Sequence, residues 1–134
     1  MKRVEWIIAG VLVLASSALL APRARTMWME SQRAEVPVLV DQIRTAALQG
    51  TLRQSFDAMP DAHPSVMPRE WPMSERPSGI DWPTTHVVGS YSFRGTSSEF
   101  VVEGRCDLDG DGSVAIYKAS HRQPAQALTP PDVF

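Results

Sequence analysis

The spacing of hydrophobic and polar residues changes three times along this chain. Behind a polar start that holds Lys2, Arg3 and Glu5, the sixteen residues from Trp6 to Ala21 carry no charge. As a helix rising about 1.5 Å per residue, this run covers roughly 24 Å, slightly under a hydrocarbon core of ~30 Å. Val4 on one side and Met27-Trp28-Met29 on the other extend its apolar reach. The run reads as a retained membrane anchor. The competing reading is a cleaved signal peptide, cut at Ser17-Ala18-Leu19 or Leu19-Leu20-Ala21. Pro22 directly after Ala21 disfavours the second cut.

From Thr26 to about Ala58 the spacing predicts a helix interrupted only by Pro37, with no glycine before Gly50. At about 100° per residue, Val36, Leu39, Val40, Ile43, Ala46 and Ala47 share one face, and Val38, Leu48, Leu52 and Phe56 lie roughly opposite. A surface helix needs one apolar stripe, so two stripes predict two partners: the chain's own sheet and something else. Joined to the apolar run, a helix over 4–57 would extend roughly 80 Å, far longer than a domain of this size, so its lower half must project. Pro22 and Pro37 would each remove a helical hydrogen bond and bend or locally melt the helix.

Residues 59–85 hold Pro60, Pro64, Pro68, Pro72, Pro77 and Pro83, a spacing that forbids a helix and disfavours strands. An irregular crossover follows from this, pinned by Trp71 and Trp82 through their large apolar area. Then the period becomes two. His86–Phe93, Glu99–Cys106 and Ser113–Ala119 read as strands, separated by the turns 94–98 and 107–112. The expected fold is therefore α+β: a long N-terminal α-helix packed on a small antiparallel β-sheet. It divides into an apolar helix segment at 1–25, its amphipathic continuation at 26–58, a proline-rich loop at 59–85, and sheet plus tail at 86–134.

Composition narrows the chemistry. A chain of 134 residues makes one domain, and 13 basic against 15 acidic side chains supply no footprint for nucleic acid. Cys106, the single cysteine, cannot form an intramolecular disulfide. His63, His86 and His121 have neither zinc-ligand spacing nor a neighbouring nucleophile and acid, so an enzyme is not expected.

Two acidic features stand out. Glu5 adjoins the apolar run, and an ionised carboxylate at bilayer depth costs several kcal/mol unless it is paired. Lys2, Arg3, the chain's own amino terminus or that of a neighbouring subunit would pair with it; the plainer alternative is a place among lipid headgroups. Asp107, Asp109 and Asp111, with Gly110 and Gly112, match the first half of a calcium loop, oxygen ligands at alternate positions before a sharp turn. Lys118 stands where such a loop needs its bidentate acid, and the alternative is a hairpin turn in which Asp-Gly pairs bind nothing.

In this order, Glu5, Pro22, the charged helix start Glu30-Ser31-Gln32-Arg33-Ala34-Glu35 and the strand–turn–strand Phe100–Tyr117 around Asp107–Gly112 resemble a type IV pilin or the related type II secretion pseudopilin. The resemblance implies a ladle-shaped subunit whose free lower helix enters the core of a helical filament after leaving a bacterial inner membrane. It assigns assembly roles to Met1, Glu5 and Pro22: Glu5 pairing with a neighbour's amino terminus, Pro22 permitting local melting. The sequence departs from the family in three places: Met1 falls at the family's mature first position with no leader before it, Lys2 and Arg3 replace residues that are usually apolar or hydroxylated, and one cysteine cannot make the disulfide with which many relatives close their C-terminal region. The implied function is a structural, non-catalytic subunit of a pilus or pilus-like filament, whose partners are further copies or other pilin-like subunits. It would be a single-pass inner-membrane protein before joining a surface or periplasmic filament. The alternative is a solitary membrane-anchored periplasmic domain that binds calcium or a protein partner as a monomer.

Overall fold

The computed structural model describes residues 21–52, 54–60, 64–82 and 85–134. Among these, a helix (α1, residues 21–33) leads into a second (α2, Glu35–Leu48) through a one-residue break at Ala34. Pro37 explains the break. Its nitrogen has no proton to give the Arg33 carbonyl, and its ring crowds that same carbonyl. Ala34 nonetheless keeps right-handed helical angles, and its N–H donates to the Glu30 carbonyl at 3.1 Å, so the rod runs on through the break.

The expected helix over 26–58 ends ten residues early. Gly50, at φ 70°, takes the left-handed conformation that closes α2. Its N–H donates to the Ala47 carbonyl and the Thr51 N–H to the Ala46 carbonyl, each at 3.0 Å, which satisfies carbonyls a helix end would leave bare. Phe56–Met59 is then a strand, β1, and not the last turn of a helix.

Five antiparallel strands form the main sheet in the order β1–β4–β5–β6–β7: β4 Ser90–Gly95, β5 Phe100–Cys106, β6 Ala115–Ser120 and β7 Gln126–Ala127. The proline-rich crossover is not wholly irregular. Arg69–Glu70 (β2) pairs with His86–Val87 (β3) in a two-stranded sheet, and a 3₁₀ turn spans Met73–Glu75. The tail also joins the main sheet, through β7 on β6.

Alternation along β5 puts Phe100, Val102, Gly104 and Cys106 inward; along β6, Ala115, Tyr117 and Ala119 point the same way. α2 lies across this face, packed on β5 and β6, and its buried residues are Val36, Leu39, Val40, Ile43, Ala46 and Ala47. The opposite stripe does not survive as a helical feature. Leu52 and Phe56 lie past the helix end, where Leu52 is buried and Phe56 packs on Phe93; Val38 and Leu48 remain exposed. Trp71 is fully buried, stacked on Tyr91 with centroids 6.2 Å apart, and Trp82 packs against it at 4.7 Å. The crossover is thus tied down by aromatic burial, together with the Arg76 Nε donating to the Trp71 carbonyl at 2.6 Å.

Candidate functional site

Of the three residues given assembly roles, Met1 and Glu5 lie outside the described residues, as does nearly all of the uncharged run. Among the described residues no helix is long and apolar enough to cross a membrane. Pro22 is helical and exposed, and its carbonyl accepts from the Thr26 hydroxyl at 3.1 Å. Thr26, one turn later, thus bonds back to the helix at the position where the proline enters it.

One helical rod carries two kinds of surface. Every residue from 21 to 28 is exposed, including Met27 and Trp28, and burial begins at Met29. Further along, the side away from the sheet exposes Met27, Ser31, Ala34, Val38, Thr45 and Leu48, which follow spacings of three, four and seven and fall on one side of the helix. Met27, Val38 and Leu48 are 69%, 54% and 48% exposed, a larger apolar exposure than a helix lying on its own domain requires. The sequence singled out Val38 and Leu48 on this face; Met27 completes it, visible in the sequence only once the helix is extended downward.

Two side chains fasten the joint between α1 and α2. Glu35, in the first turn of α2, accepts at one oxygen from the Val88 N–H and the Tyr91 hydroxyl, both at 3.1 Å. Burial raises its pKa above the ordinary value, partly countered by these two hydrogen bonds, and Tyr91 is pushed up in turn by its own burial and by Glu35. Arg33, at the end of α1, is buried. Its Nε donates to Tyr117 Oη and its terminal nitrogens to the Pro131 and Pro130 carbonyls. Neither residue stood out in the sequence, because each meets partners more than fifty positions away.

The Asp107–Gly112 turn brings its three carboxylates together, with one oxygen of each within 4.8 Å of the others. Much of that acceptor capacity goes to the turn itself. Asp107 accepts from the Gly110 and Gly112 N–H groups, Asp109 from Asp111, and Asp111 from Ser113 at 2.6 Å. Gly110 and Gly112 hold φ of 74° and 86°, the left-handed geometry expected of Asp-Gly turns. The arrangement closes the hairpin with backbone donors from within the turn. Asp109 and Asp111 retain exposed oxygen capable of accepting one.

Cys106 is fully buried and burial pushes its thiol up to about 11, so at neutral pH it is a protonated, unreactive core group. The outer face of the sheet pairs its charges, Arg94 with Asp57 and Arg105 with Glu103, each at 2.6 Å. Such exposed pairs are worth little and form an ordinary solvated surface. No family model matches this chain, and neither a curated protein nor a solved structure does.

Proposed function

We propose that the chain is a structural subunit of a type IV pilus or pilus-like filament, held in a bacterial inner membrane by its N-terminal helix and then assembled through that helix. The observation that carries this reading is the division of one rod. Its upper part is covered by the sheet, while residues 21–28 stand clear of the domain with Met27 and Trp28 exposed. Apolar surface of that kind, set just past Arg23 and Arg25 from the uncharged run that starts at Trp6, calls for lipid or for other helices. The exposed stripe through Val38 and Leu48 extends the same demand along the domain. Glu5 then serves as the buried acid that a neighbour's amino terminus neutralises, and the partners are copies of this chain or similar subunits.

The test is electron microscopy of material sheared from cells, with N-terminal sequencing of the product. Wild type is expected to yield filaments whose subunits keep the apolar run. Glu5→Leu is expected to abolish them while leaving the melting temperature of the head unchanged. A product starting near residue 22, or monomers alone, would overturn the reading in favour of a solitary domain.

A further inference from the structure

The break at Ala34 lies between a helix whose first turns, residues 21–28, project and a helix that packs, a place where a rod would pivot unless something held it. Pro37 removes the hydrogen bond that would otherwise cross the break, leaving the joint weaker than continuous helix. Arg33 stands directly at this point. Its guanidinium donates through Nε to Tyr117 Oη on β6, and through its terminal nitrogens to the carbonyls of Pro131 and Pro130 in the tail. It also lies 5.5 Å from the Tyr117 ring centroid and 5.6 Å from that of Phe134. Among the described residues no carboxylate forms an ion pair with it. A buried cation is costly unless each donor is matched, and the planar fork of arginine can match carbonyls and an aromatic face in several directions at once.

We propose that Arg33 is the positioning residue that sets the direction in which α1 leaves the domain, and that residues 130–134 act as a strap fastening the α1–α2 break to the sheet. Freeing the strap lets α1 swing about Ala34 without unfolding the sheet. Glu35 holds the other side of the joint, on α2, so loosening is confined to α1 and the tail. This assignment rests on the break at Ala34 and the contacts of Arg33, and stands whether or not the chain polymerises.

The test uses the full-length chain in mild detergent. Spin labels on Arg25→Cys and Glu99→Cys report the angle of α1 to the sheet, both sites being exposed; buried Cys106 stays unlabelled. Wild type is expected to give one narrow distance distribution. Arg33→Met and Arg33→Lys should broaden it, and amide exchange in α1 and at 128–134 should rise about tenfold while β5 keeps its protection. Lysine retains the charge and loses the fork, so broadening in Arg33→Lys separates positioning from charge burial. Arg44→Met, which removes a 2.8 Å bond from α2 to the Ser120 carbonyl away from the joint, should leave the distribution narrow. If Arg33→Met fails to fold, Arg33→Lys and Tyr117→Phe decide, since both keep the space filled. Distributions as narrow as wild type in these variants, or equal broadening in Arg44→Met, would overturn the proposal.

Discussion

At Gly104 the sheet lies directly against Val36 and Val40 of α2, and adding one carbon there tests how the helix packs on it. A Cβ at Gly104 would sit 2.6 Å from Val40 Cγ2, 2.8 Å from Val36 Cγ1 and 3.3 Å from Tyr91 Cδ1. Carbon atoms prefer separations of about 3.5–4.0 Å, so α2 must retreat by roughly an ångström or both valines must leave their places. The second route is narrow, because a β-branched side chain in a helix has essentially one comfortable rotamer. Overpacking of this kind costs about 1–3 kcal/mol. Backbone propensity argues the reverse: replacing glycine inside a strand recovers about 0.5–1 kcal/mol of chain entropy. At mid-range the steric cost outweighs the entropic gain, for a net loss of about 1 kcal/mol. At roughly 4–8 °C per kcal/mol for a small domain, Gly104→Ala should melt about 4–8 °C below wild type. Circular dichroism of the full-length chain reads this directly. Val40→Ala vacates the space, so the double variant should lose clearly less than the sum of the singles. A Gly104→Ala protein at or above the wild-type melting temperature would refute the reasoning. So would singles that add to within about 0.3–0.5 kcal/mol, because neighbours in contact must couple.

Three further outcomes follow at Glu35 and at the acidic turn, beside those given above for Glu5 and Arg33. Burial makes folded Glu35 hold its proton more tightly than the unfolded chain does, so folding takes up a proton and stability falls as pH rises above the ordinary value of 4.5. Glu35→Gln keeps an oxygen for Val88 and Tyr91, so its melting temperature should match wild type below that value and gain on it towards neutrality; parallel curves would refute the burial argument. At the acidic turn, Asp107→Ala strips acceptors from the Gly110 and Gly112 N–H groups, a loss of about 0.5–1.5 kcal/mol in thermal unfolding. Because backbone donors already satisfy the turn, exhaustive EDTA dialysis should leave the melting temperature of wild type unchanged. A rise on adding calcium, abolished by Asp109→Asn, would instead establish a cation site.

Much of the fold was legible where a single period dominates. The inner face of α2 is written at 3.6 residues, and the six residues that share it are the six that are buried. β5 alternates strictly enough for its inward residues to be read from parity, but on β6 the apolar spacing points to Val114 and Ile116, whereas the residues turned inward are Ala115, Tyr117 and Ala119. The end of the helix was misplaced because Leu52 and Phe56 continue the apolar spacing by chance, while the signal that outranks them is one glycine in left-handed geometry at position 50. β2 and β7, two residues each, carry too little pattern to read; pairing with a neighbour creates them. Arg33 and Glu35 looked like ordinary members of a charged helix start. Their partners Tyr117, Pro131, Val88 and Tyr91 come from remote strands and loops, and no local spacing records such a meeting.

The contact between Arg33 and Pro131 spans 98 positions, and that with Tyr117 spans 84. During synthesis the leading rod is therefore finished long before the groups that orient it leave the ribosome. Its direction is fixed late, when β6 and the tail arrive and close loops of that length, a slow kind of closure for a chain of this size. A nascent chain tethered ahead of α1 would thus stay steerable until Tyr117 and Pro131 have emerged, and become rigid only then.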